Sequence, residues 1–275
     1  MEFAGTFLPT TATSGLLACF TWYSMVVAMF FLIASTVFSW LTRTHVAPEH
    51  NTSRVLTACI SVVAAISYYF IQDYFRTFLH AAEGVPSAEL NKAAFLAIGQ
   101  LRYMDWTITT PLLIIKMFMM VEAHDLKASR LLYWAIVGDI FMVATGYIGD
   151  QQIAADGSIL VGPRLIWGAV STIGYLVVVY ALYRVWKDYA PRAKTIEQKA
   201  FRLMAGTVVT LWGGYPIGYI LIAVTDINAD YLQIAYSVAD ILNKVGVGII
   251  VYLAGSTILE QRIDMKSKEH AMLVG

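Results

Sequence analysis

RYMDWTITTPLLIIK, residues 102–116, carries an arginine and an aspartate at one end of a mostly apolar stretch and a lysine at the other. On a helix, Asp105 and Lys116 stand about 16 Å apart along the axis. The segment therefore holds charge at two depths of whatever medium surrounds it. That medium follows from composition: 58% hydrophobic residues, 14% charged residues and a mean hydropathy of +0.63 are too apolar for a soluble domain of 275 residues. The chain reads as a membrane protein.

Seven apolar runs, near 15–42, 55–80, 98–121, 130–149, 163–186, 203–225 and 230–259, are each long enough to cross about 30 Å of hydrocarbon. They predict an all-α bundle of seven transmembrane helices forming one domain, 1–275. The connecting segments, such as HVAPEHNTSR and AEGVPSAELNK, are short and polar. Lys and Arg crowd the loops after the first, third and fifth helices and the tail, at Arg43, Arg54, Lys127, Arg130, Arg184, Lys187, Arg192, Lys194, Lys199, Arg202, Arg262, Lys266 and Lys268. By the positive-inside rule the N-terminus is outside and the C-terminus cytoplasmic. Residues 1–14 lack the pattern of a cleaved signal peptide, so the first helix is expected to direct insertion into the cell membrane. Cys19 and Cys59 fall within apolar runs and read as core filler rather than as a disulfide or metal pair.

Five ionisable residues lie deep in these runs: Asp105, Lys116, Asp139, Asp240 and Lys244, with Arg102 nearer the outer end. A charge near the bilayer centre costs about 2.5–3.5 kcal/mol, so such residues face a protein interior and carry function. For Asp139 the reading is structural, a bond to a neighbouring helix. In DILNK, Asp240 and Lys244 share one face a turn apart. This is either a simple buried ion pair or, with Asp105 as a second carboxylate and Arg102 as a further cation, a lysine with a complex counterion. A desolvated lysine is a nucleophile able to condense with an aldehyde. The protonated Schiff base so formed would need carboxylates beside it.

RYMDWTITTPLL in the third helix, LWGGYP in the sixth and DILNKVG in the seventh resemble the microbial (type 1) rhodopsins, in the proton-pump branch of proteorhodopsin and xanthorhodopsin, and the match runs over all seven helices. The resemblance implies all-trans retinal on Lys244, Asp105 as proton acceptor and counterion, Asp240 as second counterion and Arg102 just extracellular to them. It also implies a retinal pocket of Trp106, Thr110, Trp212, Tyr215 and Pro216, with Tyr68 and Tyr215 bonded to Asp240. Asp105, Thr109 and Lys116 form the signature by which the family sorts ions; a chloride pump would lack the Asp105 carboxylate and a sodium pump of the usual kind would carry Asn, Asp and Gln at the three positions, so the resemblance disfavours both. The expected activity is light-driven outward proton transport, with no enzymatic reaction. The alternatives are a sensory rhodopsin signalling through a separate membrane transducer and a retinal isomerase. The short polar tail ILEQRIDMKSKEHAMLVG offers no output domain for signalling, and no catalytic constellation beyond the retinal site supports isomerase chemistry.

Departures from the family pattern carry their own expectations. Ser67 stands where proteorhodopsin-like pumps have a histidine bonded to the counterion. All five histidines, His45, His50, His80, His124 and His270, fall in loops, helix ends or the tail and are expected to titrate in solvent. Asp226 and Asp230 read as solvated. Lys116 takes the place of the carboxylic acid of the cytoplasmic donor, the bland alternative being an amine that snorkels to the interface. An amine stores its proton as a cation, which an apolar helix disfavours, so loading should wait until the helices open. Gly168, where many relatives have a bulky aromatic, resembles the xanthorhodopsin-like gap through which a carotenoid antenna approaches the retinal ring; close helix packing is its plain alternative. The expected surroundings are membrane lipid, protons and further copies of the chain in a homo-oligomer, with no nucleic acid and no metal.

Overall fold

In a computed structural model, which describes residues 7–81 and 88–274, the chain is a seven-helix membrane bundle. Part of the AEGVPSAELNK loop, 82–87, lies outside the described residues, as do residues 1–6. After a single turn at Thr11–Ser14 come α1 (Leu16–Leu41), α2 (Asn51–Ala81), α3 (Ala88–Met120), α4 (Leu126–Asp150), α5 (Val161–Asp188), α6 (Thr195–Val224) and α7, which begins at Ala229. The loop between α4 and α5 turns at Gly157, whose φ of 84° suits a residue without a Cβ, and closes one antiparallel bridge, Ile153 to Ile159.

Among the described residues, six helices are long and apolar enough to cross a membrane by composition alone; α3 is the one that falls short. Its buried Arg102, Asp105 and Lys116 lower its hydropathy while fixing which face turns inward. Pro111 sits inside α3 and Pro216 inside α6. Where α6 and α7 pass the bundle centre, each widens into a π-helical turn, at Val208–Trp212 and Ile241–Gly246. Turns of this kind commonly mark functional sites. After its π turn α7 continues as Val247–Val274, so the polar tail is helical.

A place within an apolar run does not say whether a residue faces lipid or the core, and two expectations fail for that reason. Cys59 is exposed on the lipid side and Cys19 only half-buried, so neither fills the core. α4 and α5 cross at Gly138 and Gly174, where a Cβ on Gly174 would overlap the Gly138 carbonyl oxygen and lie 2.8 Å from the Met142 nitrogen. Small residues at such a crossing let two backbones approach closely.

Two polar expectations also fail. His50 is fully buried, its Nε2 3.1 Å from Glu197 Oε1, because the start of α6 folds over the start of α2. Asp230 is buried at the start of α7, while Asp226 is exposed.

Candidate functional site

The middle of the bundle gathers four helices, α2, α3, α6 and α7, around one amine. The π turn of α7 presents Lys244, buried to 2% exposure, and its Nζ donates to Asp105 Oδ2 on α3 and, at 3.4 Å, to Asp240 Oδ1 one turn earlier on α7. Asp240 is held from every side: Tyr215 donates to Oδ1 at 2.7 Å, Tyr68 to Oδ2 at 2.8 Å, and Arg102 Nη1 reaches Oδ2 at 3.3 Å. Arg102 also donates to the Tyr68 hydroxyl at 3.0 Å and to Gln233 Oε1 at 2.9 Å. Asp105 is held by much less. Its Oδ1 has no hydrogen-bond partner among the described residues. The two carboxylates thus differ in kind: Asp240 is fixed by four donors, whereas Asp105 has one oxygen open to receive a proton.

Thr109 donates to the Asp105 carbonyl at 3.0 Å, a local helix bond one turn on. Thr110 donates to the Trp106 carbonyl at 2.7 Å and to Asp139 Oδ2 at 2.8 Å, tying α3 to α4. Ser67 does not reach Asp105; its hydroxyl donates to the Leu101 carbonyl at 3.2 Å.

A cavity of about 280 Å³ runs from Lys244 toward α4 and α5. Trp106, Thr110, Trp212, Tyr215, Pro216 and Gly168 line it, with the Trp106 and Tyr215 rings edge to face at 4.8 Å. Aromatic walls with a single nucleophile at one end fit a long conjugated aldehyde, since the rings enclose apolar surface and the amine supplies the attachment. The wall at Gly168 is filled: a Cβ there would come 2.9 Å from Tyr219 Cε1. Tyr219 is pinned by its hydroxyl, which donates to the Arg164 carbonyl at 2.6 Å.

Lys116, on the far side of the cavity from Arg102, is fully buried, and its Nζ has no hydrogen-bond partner among the described residues. Arg54 is buried on that side as well, donating to the Gly248 carbonyl at 2.8 Å and to Thr42 Oγ1 at 2.7 Å.

Sequence reasoning missed Gln233, the partner of Arg102, and the buried pair of Asp150 and Arg164 at 2.8 Å. Gln233 carries no charge to draw notice. Asp150 closes α4 just beyond the apolar run that ends near 149, where an aspartate reads as a loop residue.

A family model described as bacteriorhodopsin-like protein matches residues 19–258. The green-light absorbing proteorhodopsin of Gamma-proteobacterium EBAC31A08 is 27% identical over 227 residues, 80% of each chain. Archaerhodopsin-2 of Halobacterium sp. (strain aus-2) is 28% identical over 232 residues, 82% of this chain and 79% of its own. Among solved structures, Exiguobacterium sibiricum rhodopsin aligns with a TM-score of 0.74 and 27% identity, covering 88% of this chain and 98% of that one. Xanthorhodopsin, described as a light-driven ion pump with dual chromophore, aligns with a TM-score of 0.75 over 93% and 99% of the two chains; at 24% identity that likeness bears on the fold alone.

Proposed function

The chain belongs to the bacteriorhodopsin-like family, and from that premise we propose that it is a light-driven proton pump that moves protons outward and carries retinal on Lys244. It is a microbial rhodopsin and a multi-pass membrane protein, in a family of light-driven transporters and photoreceptors rather than enzymes. The observation that carries the proposal is the unequal pair of carboxylates around one buried amine.

Retinal joined to the Lys244 amine supplies light absorption and a change of shape. Every other part belongs to the protein. Asp105, in contact with Nζ and with one oxygen open, takes the proton that Lys244 gives up. Asp240, fixed by Tyr68, Tyr215 and Arg102, stays ionised and keeps the site's charge balanced. Arg102 steadies the arrangement and swings away as Asp105 becomes neutral. Lys116 lies on the path that returns a proton to Lys244 from the opposite side; its complete burial supports that role over a snorkelling one.

The distribution of Lys and Arg supports an orientation with the N-terminus outside, which puts Arg102 on the outer side and Lys116 toward the cytoplasm. Transport is then outward. A carotenoid antenna at Gly168 would have to pack over the Tyr219 ring, which fills that wall. In the membrane the chain is surrounded by lipid and assembles as a homo-oligomer.

Illuminating an unbuffered suspension of retinal-fed cells that express the protein tests the proposal. The medium should acidify, an uncoupler should abolish the signal, and a Lys244→Ala control should show neither the signal nor a visible absorption band. A normal pigment with no pH change would overturn the pump and assign a photosensor.

A further inference from the structure

A pump that hands its proton to Asp105 needs a group from which that proton departs. Arg102 leads toward Gln233, but an amide cannot hold a proton at neutral pH. Two carboxylates line the cavity, Asp240 and Asp150, and Asp240 is already engaged by four donors. We propose that Asp150, clamped by Arg164 at the outer end of the cavity, receives the transported proton and releases it to the outside; this rests on the outward-pump reading above.

Three features of the pair support this role. First, it is buried and rigid. Asp150 is 4% exposed and Arg164 is fully buried; Arg164 Nη2 donates to Asp150 Oδ1 at 2.8 Å and Nη1 to the Asp150 carbonyl at 3.2 Å. The guanidinium stacks over the Tyr219 ring at 4.1 Å and its Nε reaches the Tyr219 carbonyl at 3.4 Å. Second, the carboxylate is only half used. Oδ2 is buried with no hydrogen-bond partner among the described residues, an arrangement that a purely structural ion pair would be expected to avoid. Third, that oxygen faces the right element. It points at Gly99 of α3, where a Cβ would lie 2.7 Å away, and Gly99 is one turn before Arg102. The absence of a side chain at residue 99 is what lets the carboxylate approach the Arg102 side of the cavity. The Tyr236 ring, 5.4 Å from the Arg102 guanidinium, lines the same wall, so the cavity joins Lys244, Arg102 and Asp150 without interruption.

The transfer balances without any co-reactant. Asp105 gives up its proton and returns to the carboxylate; Asp150 takes it on Oδ2 and becomes a carboxylic acid, which loosens its hold on Arg164. Asp150 then loses the proton to outer water, and the ion pair with Arg164 re-forms. Asp230, also buried near the outer end, does not line the cavity and is the rival exit.

Flash experiments on the retinal-loaded protein in nanodiscs test this, with a pH-sensitive dye reporting release and infrared difference spectra reporting carboxylic acids. In the wild type a carbonyl band should rise after Asp105 is protonated and decay as the dye responds. Asp150→Asn should remove that band and slow release about tenfold or more, with colour and transfer to Asp105 unchanged, and Asp150→Glu should restore release with a shifted band. If Asp150→Asn fails to fold, the double variant Asp150→Asn with Arg164→Gln removes both charges and gives the same readout. A wild-type release rate with the band intact in the Asn variant would overturn Asp150 alone, and loss of the band in Asp230→Asn instead would give the role to Asp230. A wild type that forms pigment but releases no proton would overturn the pump reading itself.

Discussion

The Lys244 amine is bonded to the Asp105 carboxylate across the gap between α7 and α3, so a cation on one helix is balanced by an anion on another. Replacing Asp105 by Asn removes that anion beside the chromophore. Loss of a nearby negative charge destabilises the ground-state cation more than the excited state, in which positive charge has moved away. Asp105→Asn should therefore shift the absorption maximum to the red and abolish light-driven acidification. Pumping at the wild-type rate by this variant would remove Asp105 from the proton path.

Lys116 tests the other half of the path. Lys116→Ala should leave colour and the first transfer to Asp105 nearly unchanged but slow the return of a proton to the Lys244 nitrogen about tenfold, and make it fall steeply with rising pH. Flash photolysis between roughly pH 6 and 9 reads this directly. An unchanged recovery in the variant would leave Lys116 a structural residue.

The α4–α5 crossing should tolerate no added methyl. In Gly174→Ala the new Cβ meets the Gly138 carbonyl oxygen and the Met142 nitrogen, both backbone atoms that cannot rotate aside. A loss of about 1–3 kcal/mol is expected, seen as a lower bleaching temperature of the pigment. Gly206→Ala, at a position where a Cβ meets nothing within 4 Å, is the control.

The loop before α4 carries a pH-dependent cap. Asp125 accepts from the Tyr189 hydroxyl at 2.5 Å and from the Ala128 amide at 2.7 Å, and these donors hold its carboxyl below the usual range. Because the folded value is the lower one, the stabilisation is present above the unfolded value of about 3.9 and is lost as pH falls through that value and below it. Asp125→Asn should lower the bleaching temperature at neutral pH and match the wild type in strong acid. An equal deficit at both pH values would show that charge plays no part.

Much of this was legible from residue types at helical spacing. The seven apolar runs predicted the seven-helix bundle, and Asp240 and Lys244, four residues apart, identified a shared face. What escaped was whatever depends on how the helices meet. The π turn at Ile241–Gly246 has no compositional mark, and neither does the burial of His50 beneath Glu197. Asp150 fell just outside the fourth apolar run because such runs end where their composition changes, not where the helix does. Cys59 was read as core because it falls within an apolar run, but in α2 the apolar face meets lipid and the face bearing Ser53, Thr57 and Ser61 turns inward.

The deficit of α3 in apolar character bears on biogenesis. A newly made segment holding Arg102, Asp105 and Lys116 faces about 2.5–3.5 kcal/mol per charge if it must partition into lipid by itself. Inside the finished bundle Arg102 has partners on α2 and α7 and Asp105 has one on α7; at the translocon α7 has not yet been synthesised. The helix that carries the proton is thus the one the membrane is least ready to accept, and it should enter as a hairpin with α2 or α4 rather than alone. A glycosylation-mapping assay on the isolated segment would measure this: poor insertion, improved by Asp105→Asn, is expected, and full insertion of the unaltered segment would contradict it.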